Sequence, residues 1–135
     1  MCGALSPDFA FVESWRERAR ATCEVVAECG TVPFWVVRGP LGAVAEARGW
    51  SDTLAATVRE PEVLAAALDE ALDAAVASVR DAVAGGAGAV VAADDLAGAT
   101  GPLVAPDYAL EEVLPRLGRL SRAAAVEGLP LVWHS

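Results

Sequence analysis

Apolar residues recur every three or four positions between residues 61 and 84, the spacing of a helix with one buried face. The positions are Leu64, Leu68, Leu72, Val76, Val79 and Val83. Pro61 stands at the start of the segment and Gly85-Gly86 at its end, as expected of helix boundaries. The pattern predicts a one-sided amphipathic helix of about six turns.

Three shorter apolar segments lack this spacing and are predicted to be strands: Thr31–Val37, Ala87–Ala93 and Leu129–Trp133. Ala89–Ala93 is apolar without alternation, which is typical of a strand that is buried on both faces. Helical sequence separates each strand from the next. Connections of this kind predict parallel strands whose carboxyl ends lie at one edge of a sheet.

The remaining segments are mostly helical in pattern. The predicted helices are Pro7–Glu28, two short helices within Leu41–Val58 with a turn at Trp50, and Asp107–Glu127. Pro115 lies inside the last of these. Because proline has no backbone N–H, we expect a kink at that point. Residues 96–106 are rich in Gly, Ala, Thr and Pro and are predicted to form a loop.

Composition narrows the class of protein. The chain has 135 residues and a net charge of −9, which argues against a nucleic-acid surface. No apolar run approaches the ~20 residues of a membrane span, and Met1–Phe11 lacks the basic region of a signal peptide. The three cysteines, Cys2, Cys23 and Cys29, form no CxxC pair, which favours reduced thiols. We therefore expect a soluble, cytoplasmic protein that contacts neither nucleic acid nor membrane.

Each predicted strand runs into a polar cluster: Arg38 after the first, Asp94-Asp95 after the second and His134 after the third. Ligands of open α/β sheets and of (β/α)8 barrels bind at this edge, so the pattern indicates a functional site. Neighbouring residues point to opposite sides of a strand, so at most one of the two aspartates faces a ligand. That residue could act as a general acid or base, and the alternative is that one of the pair caps the following loop.

The other two polar residues leave alternatives open. Arg38 could bind a substrate carboxylate through two parallel hydrogen bonds, or it could pair with Asp94 or Asp95 across the strand ends. His134 is the only histidine, and as a metal ligand it would need two or three partners. Neither a GxGxxG nor a GxxxxGK[ST] phosphate loop occurs in the chain.

In the loop Asp94–Asp107, after the second strand, an acidic residue, a glycine and a G-x-x-x-P element precede the next helix. In these features the loop resembles that of the uroporphyrinogen decarboxylase family. Three further segments are similar to the family pattern: Tyr108–Pro115, Val132–Ser135, and Val32–Trp35 with Gly39-Pro40. The resemblance covers roughly residues 31–135.

The resemblance implies an α/β fold, a partial (β/α)8 barrel of about three parallel strands. Residues 1–30 would form an N-terminal helix and residues 31–135 an incomplete barrel segment. The implied function is cofactor-free decarboxylation of a carboxylated tetrapyrrole or a similar small molecule. The implied site residues are Asp94, Asp95 and His134 for catalysis, and Arg38 and Gly98 for substrate binding.

Departures from the family keep a second branch open. Asp95 stands where the decarboxylases carry a serine that contacts a substrate carboxylate, and their tyrosine on the first strand falls near Gly39. In the zinc- and corrinoid-dependent methyltransferases of the same family, a His-x-Cys motif binds zinc, and His134 matches its histidine. The resemblance therefore implies zinc only for the methyltransferase alternative.

The family's N-terminal catalytic region has no counterpart in these 135 residues, so we expect the isolated chain to be catalytically silent. Three strands also leave two sheet edges and an inner apolar face, with Val90 or Val91 and Val132, without cover. Such surfaces predict a homo-oligomer, or alternatively a non-catalytic fragment that self-associates.

Overall fold

The computed structural model describes residues 9–135, and their side chains from Trp15 onward. The helices are α1 (Phe9–Glu28), α2 (Pro40–Arg48), α3 (Trp50–Arg59), α4 (Pro61–Ala84), α5 (Pro106–Tyr108) and α6 (Leu114–Val126), with a π-helical turn at Ala109–Val113 between the last two. The strands are β1 (Phe34–Arg38), β2 (Ala89–Ala93), β3 (Ala97–Gly98), β4 (Gly101–Pro102) and β5 (Leu131–His134). The fold is α/β.

The three predicted strands are confirmed, and all three start two or three residues later than the sequence pattern suggested. β1 begins after Pro33 and β5 begins after Pro130. A proline has no N–H to donate to a neighbouring strand, but its carbonyl can still accept. Accordingly, Gly88 N–H donates to the Pro33 carbonyl and Val90 N–H to the Pro130 carbonyl, and the regular pairing follows.

The strands form one parallel sheet in the order β1-β2-β5, which confirms the predicted direction. The same turn leads into each strand. Gly30, Gly86 and Gly128 end the preceding helices with φ angles of 74°, 79° and 77°, a region that suits glycine. In all three turns the glycine N–H and the next N–H donate to carbonyls of the last helical turn. The glycines therefore mark the edge where the strands start.

The helices cover one face of the sheet. Trp35 and Val37 point to that side of β1 and are buried, and the Trp35 indole donates to the Ser78 hydroxyl of α4 at 3.2 Å. The leucines that define the apolar stripe of α4 are fully buried: Leu64, Leu68 and Leu72. Burying one such side chain contributes about 1.5–3 kcal/mol, so this stripe is a major source of stability.

β2 corrects one expectation from the sequence. Val90 and Ala92 are completely buried beneath the helices. On the other face Ala89 is also buried, but Val91 and Ala93 are only half-buried. The continuous apolar run had predicted a strand covered on both faces. Periodicity cannot distinguish a strand that is covered twice from one whose second apolar face lies open.

The predicted helix around Pro115 contains a π-helical turn. Leu114 N–H donates to the Ala109 carbonyl, five residues back, immediately before the proline that cannot donate. Arg116 then bonds the Glu112 carbonyl through its side chain, at 2.7 Å. The irregularity expected at Pro115 therefore takes the form of a widened turn, and the Arg116 side chain binds a carbonyl of that turn.

Two connections add to this core. Residues 96–106, predicted to be an irregular loop, contain the short antiparallel hairpin β3–β4. α1 packs through the Trp15 ring against Trp35, edge to face with centroids 5.3 Å apart. The Arg20 guanidinium bonds the Ala84 carbonyl, which stabilises the carboxyl end of α4. Within residues 9–135, no helix is both long and apolar enough to cross a membrane.

A buried arginine should hold α4 against α6. The Arg116 side chain is 11% exposed, and it donates to Asp69 Oδ1 at 3.0 Å, to Glu112 Oε2 at 2.7 Å and to the Ala65 carbonyl at 3.1 Å. We expect Arg116→Met to lower the free energy of unfolding by about 1–3 kcal/mol, because methionine cannot make the hydrogen bonds that this largely buried guanidinium donates.

Arg119→Met is the matched control for urea unfolding. Arg119 reaches the same Asp69 oxygen at 3.4 Å, but its side chain is exposed. An exposed pair of this kind contributes about 0–1 kcal/mol. Equal losses in the two variants would contradict the proposed clamp between the helices.

Candidate functional site at the carboxyl ends of the strands

The predicted polar residues lie at one edge of the sheet. Arg38 on β1 pairs in register with Ala93 on β2, and Ala93 pairs with His134 on β5. Asp94 and Asp95 follow Ala93 directly. With strands about 4.8 Å apart, the backbones of Arg38 and His134 lie about 10 Å from each other. The expected common edge, opposite the three turn glycines, is confirmed.

The two aspartates occupy different surroundings, as their adjacency predicted. Asp94 is fully buried, and Asp95 is exposed. The Asp94 carboxylate accepts a hydrogen bond from Gly42 N–H at 2.6 Å and a long one from Leu41 N–H at 3.4 Å. Asp94 therefore caps the amino end of α2, the helix that follows the neighbouring strand β1. It does not cap the loop that follows Asp94 itself.

Burial raises the pKa of Asp94 from 3.8 to about 6. The hydrogen bonds from Gly42 and Leu41 oppose that increase because they favour the charged form, and the charge of Asp95 adds to it. Burial is the largest of these effects. The site thus contains a carboxyl group that changes its protonation well above the pH at which an ordinary aspartate does.

Two glycines allow this close approach. A Cβ at Gly39 would overlap the Asp94 side chain, and one at Gly42 would lie 3.3 Å from Asp94 Oδ1. Gly39 N–H also donates to the Ala93 carbonyl at 2.8 Å. The sequence pattern indicated Gly39-Pro40 only as the end of a strand. The requirement for a missing side chain depends on a contact with a residue more than fifty positions away.

The backbone of Asp94 joins the third strand to the same point. Its N–H donates to the His134 carbonyl at 3.0 Å, and its carbonyl accepts from the Trp133 indole at 3.1 Å. We call Asp94, Gly39, Gly42, Trp133 and His134 the Asp94 junction. This junction fixes the ends of β1, β2 and β5 relative to one another and to α2.

Arg38 has a different partner from those considered in the sequence. Its guanidinium pairs with Glu46 of α2 at 2.9 Å, so the proposed bridge to Asp94 or Asp95 is wrong. One turn and a half of α2 bring Glu46 back over the strand end, which the sequence did not reveal. Both side chains are more than half exposed, and such pairs contribute little to stability. Arg38 can therefore exchange Glu46 for another carboxylate.

The remaining candidates lie around this edge. The His134 side chain is exposed on the same face of the sheet as Arg38. Gly98 lies in the exposed β3–β4 hairpin that follows Asp95, with its Cα facing Leu103. Leu96 N–H at the base of that hairpin donates to the Ser135 hydroxyl at 2.9 Å, which ties the hairpin to the end of β5.

The described residues gather no metal-binding set. Between residues 9 and 135, no group of three or more His, Cys, Asp or Glu side chains is arranged to hold an ion. Asp94 is turned towards the α2 amides. The arrangement therefore offers an exposed guanidinium, an exposed carboxylate and an imidazole at a strand edge, chemistry suited to anion binding and proton transfer.

Asp94→Asn should change how stability depends on pH. The native pKa of about 6 lies above 3.8, so the folded chain binds the extra proton, and the contribution of Asp94 falls as pH rises from about 4 to about 6. This loss amounts to about 3 kcal/mol at pH 7. The amide has no charge to bury, so the stability of the variant relative to wild type should rise by about that amount across this range.

Urea unfolding at several pH values measures the difference, with Asp95→Asn as the control because that carboxyl is exposed. We expect a much smaller change in this control, because the charge of Asp95 is the smallest of the effects that shift the pKa of Asp94. A constant difference between Asp94→Asn and wild type from pH 4 to pH 7 would contradict the assignment of Asp94 as a buried, titrating cap.

Gly39→Ala and Gly118→Ala should have opposite effects on stability. Gly39 has φ −68° and ψ 159°, which alanine can adopt, so any loss reports the overlap with Asp94. We expect a loss of about 1–3 kcal/mol, as for other overpacked sites. Gly118 lies within α6, where a Cβ meets only Arg122 at 3.5 Å, so alanine should gain about 0.5–1 kcal/mol. Thermal or urea unfolding of both variants tests this, and a neutral Gly39→Ala would show that the junction can relax.

Comparisons with known proteins do not identify a function for this site. No family model, no curated protein and no solved structure matches the chain. The resemblance to the uroporphyrinogen decarboxylase family therefore stands on the sequence segments quoted above. The function of the strand edge has to be inferred from the geometry and charge of its residues.

Proposed function

We propose that the carboxyl edge of the β1-β2-β5 sheet binds a carboxylated small molecule and belongs to an enzyme resembling uroporphyrinogen decarboxylase. One observation carries the proposal: the parallel register aligns Arg38 and His134 at the edge where Asp95 also emerges. A guanidinium that can bind anions and two groups that can carry protons thus lie along the usual ligand edge of parallel sheets.

The arrangement of layers supports a partial (β/α)8 barrel as the architecture. The strands follow one another in sequence order across the sheet, and the described helices cover one face. A barrel has the same plan, with helices outside and an apolar strand face inside. A complete doubly wound sheet instead has helices on both faces. The comparison favours a barrel segment.

Arg38 would anchor the ligand. Its guanidinium is exposed and bonds Glu46 through one nitrogen at 2.9 Å. A ligand carboxylate can accept two parallel hydrogen bonds from the same guanidinium, a stronger arrangement than a single exposed pair. The ligand would displace Glu46, which would otherwise keep the anchor neutralised. In this way an acidic protein of net charge −9 could still bind an acidic molecule.

Asp95 and His134 would move protons. In a decarboxylation the carbon–carbon bond to the carboxylate breaks, carbon dioxide leaves, and the electron pair left on carbon takes up a proton. An imidazole or a carboxylic acid beside that carbon can donate it. Asp94 was an equal candidate in the sequence, but its carboxylate faces the α2 amides. Its role here is to position its neighbours. Gly98, in the exposed hairpin, remains a candidate for substrate binding only because the family resemblance implies it.

The free thiols suit a reducing compartment. Cys23 is buried and Cys29 exposed, and neither forms a disulfide. Together with the sequence evidence, this favours the cytoplasm as the place of action.

Ligand binding can be measured by quenching of tryptophan fluorescence, because Trp133 adjoins His134 at the strand edge. The probe is uroporphyrin, a stable tetrapyrrole with several carboxylates. We expect wild type to bind and Arg38→Gln to bind about tenfold more weakly or worse, since a hydrogen bond to a charged group contributes about 1.5–3 kcal/mol.

Arg48→Gln is the matched control. Arg48 also pairs with a glutamate, Glu60 at 3.6 Å, but it lies at the far end of α2. It should bind like wild type. Failure of the wild-type chain to bind the probe, or equal affinities of Arg38→Gln and Arg48→Gln, would overturn the proposed ligand site.

A further inference from the structure

A groove with a volume of about 170 Å³ lies between β1, α2 and α4. Its most buried lining residues are Val37 of β1 and Ala75 of α4, which are 3% and 5% exposed. Arg38 also lines the groove, and its side chain is exposed. The groove therefore joins an apolar interior to a positively charged side chain at the end of β1. We call it the Arg38 groove.

Small side chains on one face of α4 leave this space. The lining positions on α4 have the i, i+3, i+4, i+7 spacing of a single helix face: Ala71, Ala74, Ala75 and Ser78. The Trp35 indole donates to the Ser78 hydroxyl at 3.2 Å, which shows that this face is turned towards β1. Ala43 lines the groove from α2. With alanines on both helices, a gap remains that a carbon chain can occupy.

The charge at the groove indicates what kind of molecule fits it. Among the described residues that line the groove, Arg38 is the only charged one. Its guanidinium pairs with Glu46 through one nitrogen at 2.9 Å, and both side chains are more than half exposed. An exposed pair of this kind is weak, so a ligand carboxylate can take the place of Glu46. The guanidinium thus selects an anion, and the alanines select a hydrocarbon tail.

The volume of the groove limits the length of that tail. An apolar cavity of about 150 Å³ holds one benzene molecule, which has six carbon atoms. The Arg38 groove has a similar volume, so it accommodates about four to six carbons of a chain. A tetrapyrrole macrocycle is far larger than this. The groove therefore favours a smaller ligand than the family resemblance implies.

We infer that the Arg38 groove binds a short aliphatic carboxylate, with the carboxylate on Arg38 and the carbon chain along the alanines of α4. The inference rests on the proposed role of Arg38 as the anchor of a carboxylate. It uses neither Asp95 nor His134. It narrows the carboxylated molecules considered for the strand edge to those with a short apolar chain.

Titrations with acetate, butyrate and hexanoate test the inference, with sodium chloride keeping the ionic strength constant. Two-dimensional NMR of the whole chain, labelled at the alanine methyl groups, follows binding at the groove itself. Wild-type affinity should rise from acetate to hexanoate, by at most about fourfold for each methylene that is buried. The methyl signals of Ala71 and Ala74 should shift most. Arg38→Gln should bind all three carboxylates about tenfold more weakly or worse.

Ala74→Leu and Ala71→Leu should fill the groove while keeping a helix-favouring residue on α4. Both variants should bind hexanoate no more tightly than acetate. Ala77→Leu is the matched control, because it makes the same change at an exposed position of the same helix that does not line the groove. It should bind like wild type. Far-UV circular dichroism verifies that each variant is folded.

The inference fails if wild type binds acetate and hexanoate equally, or binds neither. It also fails if Ala74→Leu and Ala71→Leu keep the same dependence on chain length as Ala77→Leu, because the chain would then lie elsewhere. Uroporphyrin binding that depends on Arg38, without any dependence on chain length, would overturn the groove and leave the proposed function standing. Hexanoate binding in the groove without uroporphyrin binding would overturn only the tetrapyrrole-like ligand.

Discussion

The buried carboxylate of Asp94, hydrogen-bonded to the amino end of α2, links that helix to the ends of the sheet strands. Through its side chain Asp94 holds Gly42 and Leu41, and through its backbone it meets Trp133 and His134. The ends of all three strands are thereby fixed at one point. The positions of Arg38, Asp95 and His134 relative to one another follow from that point.

Burying the Asp94 carboxylate is energetically unfavourable, and neighbouring residues compensate for part of this effect. Taking a carboxylate out of water disfavours its charged form, and this effect raises the pKa of Asp94 to about 6. Two backbone N–H groups at a helix amino end compensate for part of the loss. Gly39 and Gly42 leave room for the approach, because a side chain at either position would meet the carboxylate. Capping and ionisation at this position are therefore coupled.

The sheet is built asymmetrically around the same strands. One face carries α4 with its buried leucines, and the other presents Phe34, Val36 and Val132 to whatever lies opposite. The polar strand ends lie at the rim of this second face. The strand edge thus borders an exposed apolar surface, and the Asp94 junction lies between that edge and the helical layer.

The local sequence pattern was sufficient to predict the helices, the strands and the parallel direction of the strands. The four-residue spacing in Pro61–Ala84 specified a helix, and the apolar runs separated by helices specified parallel strands with polar ends at one edge. Alternation alone also indicated that Asp94 and Asp95 face opposite ways. Such features depend on residues close in sequence, where chain geometry fixes what can be neighbours.

The tertiary structure determined which groups pair through hydrogen bonds and ion pairs. Asp94 bonds α2 rather than its own loop, and Arg38 bonds Glu46 rather than an aspartate. Pro115 follows a π-helical turn that the Leu114 N–H closes on the Ala109 carbonyl. The apolar run of β2 predicted cover on both faces, whereas the described helices cover only one, since an apolar strand looks the same in either case. Each of these outcomes depends on which groups packing brings within hydrogen-bonding distance, and that information is not contained in local spacing.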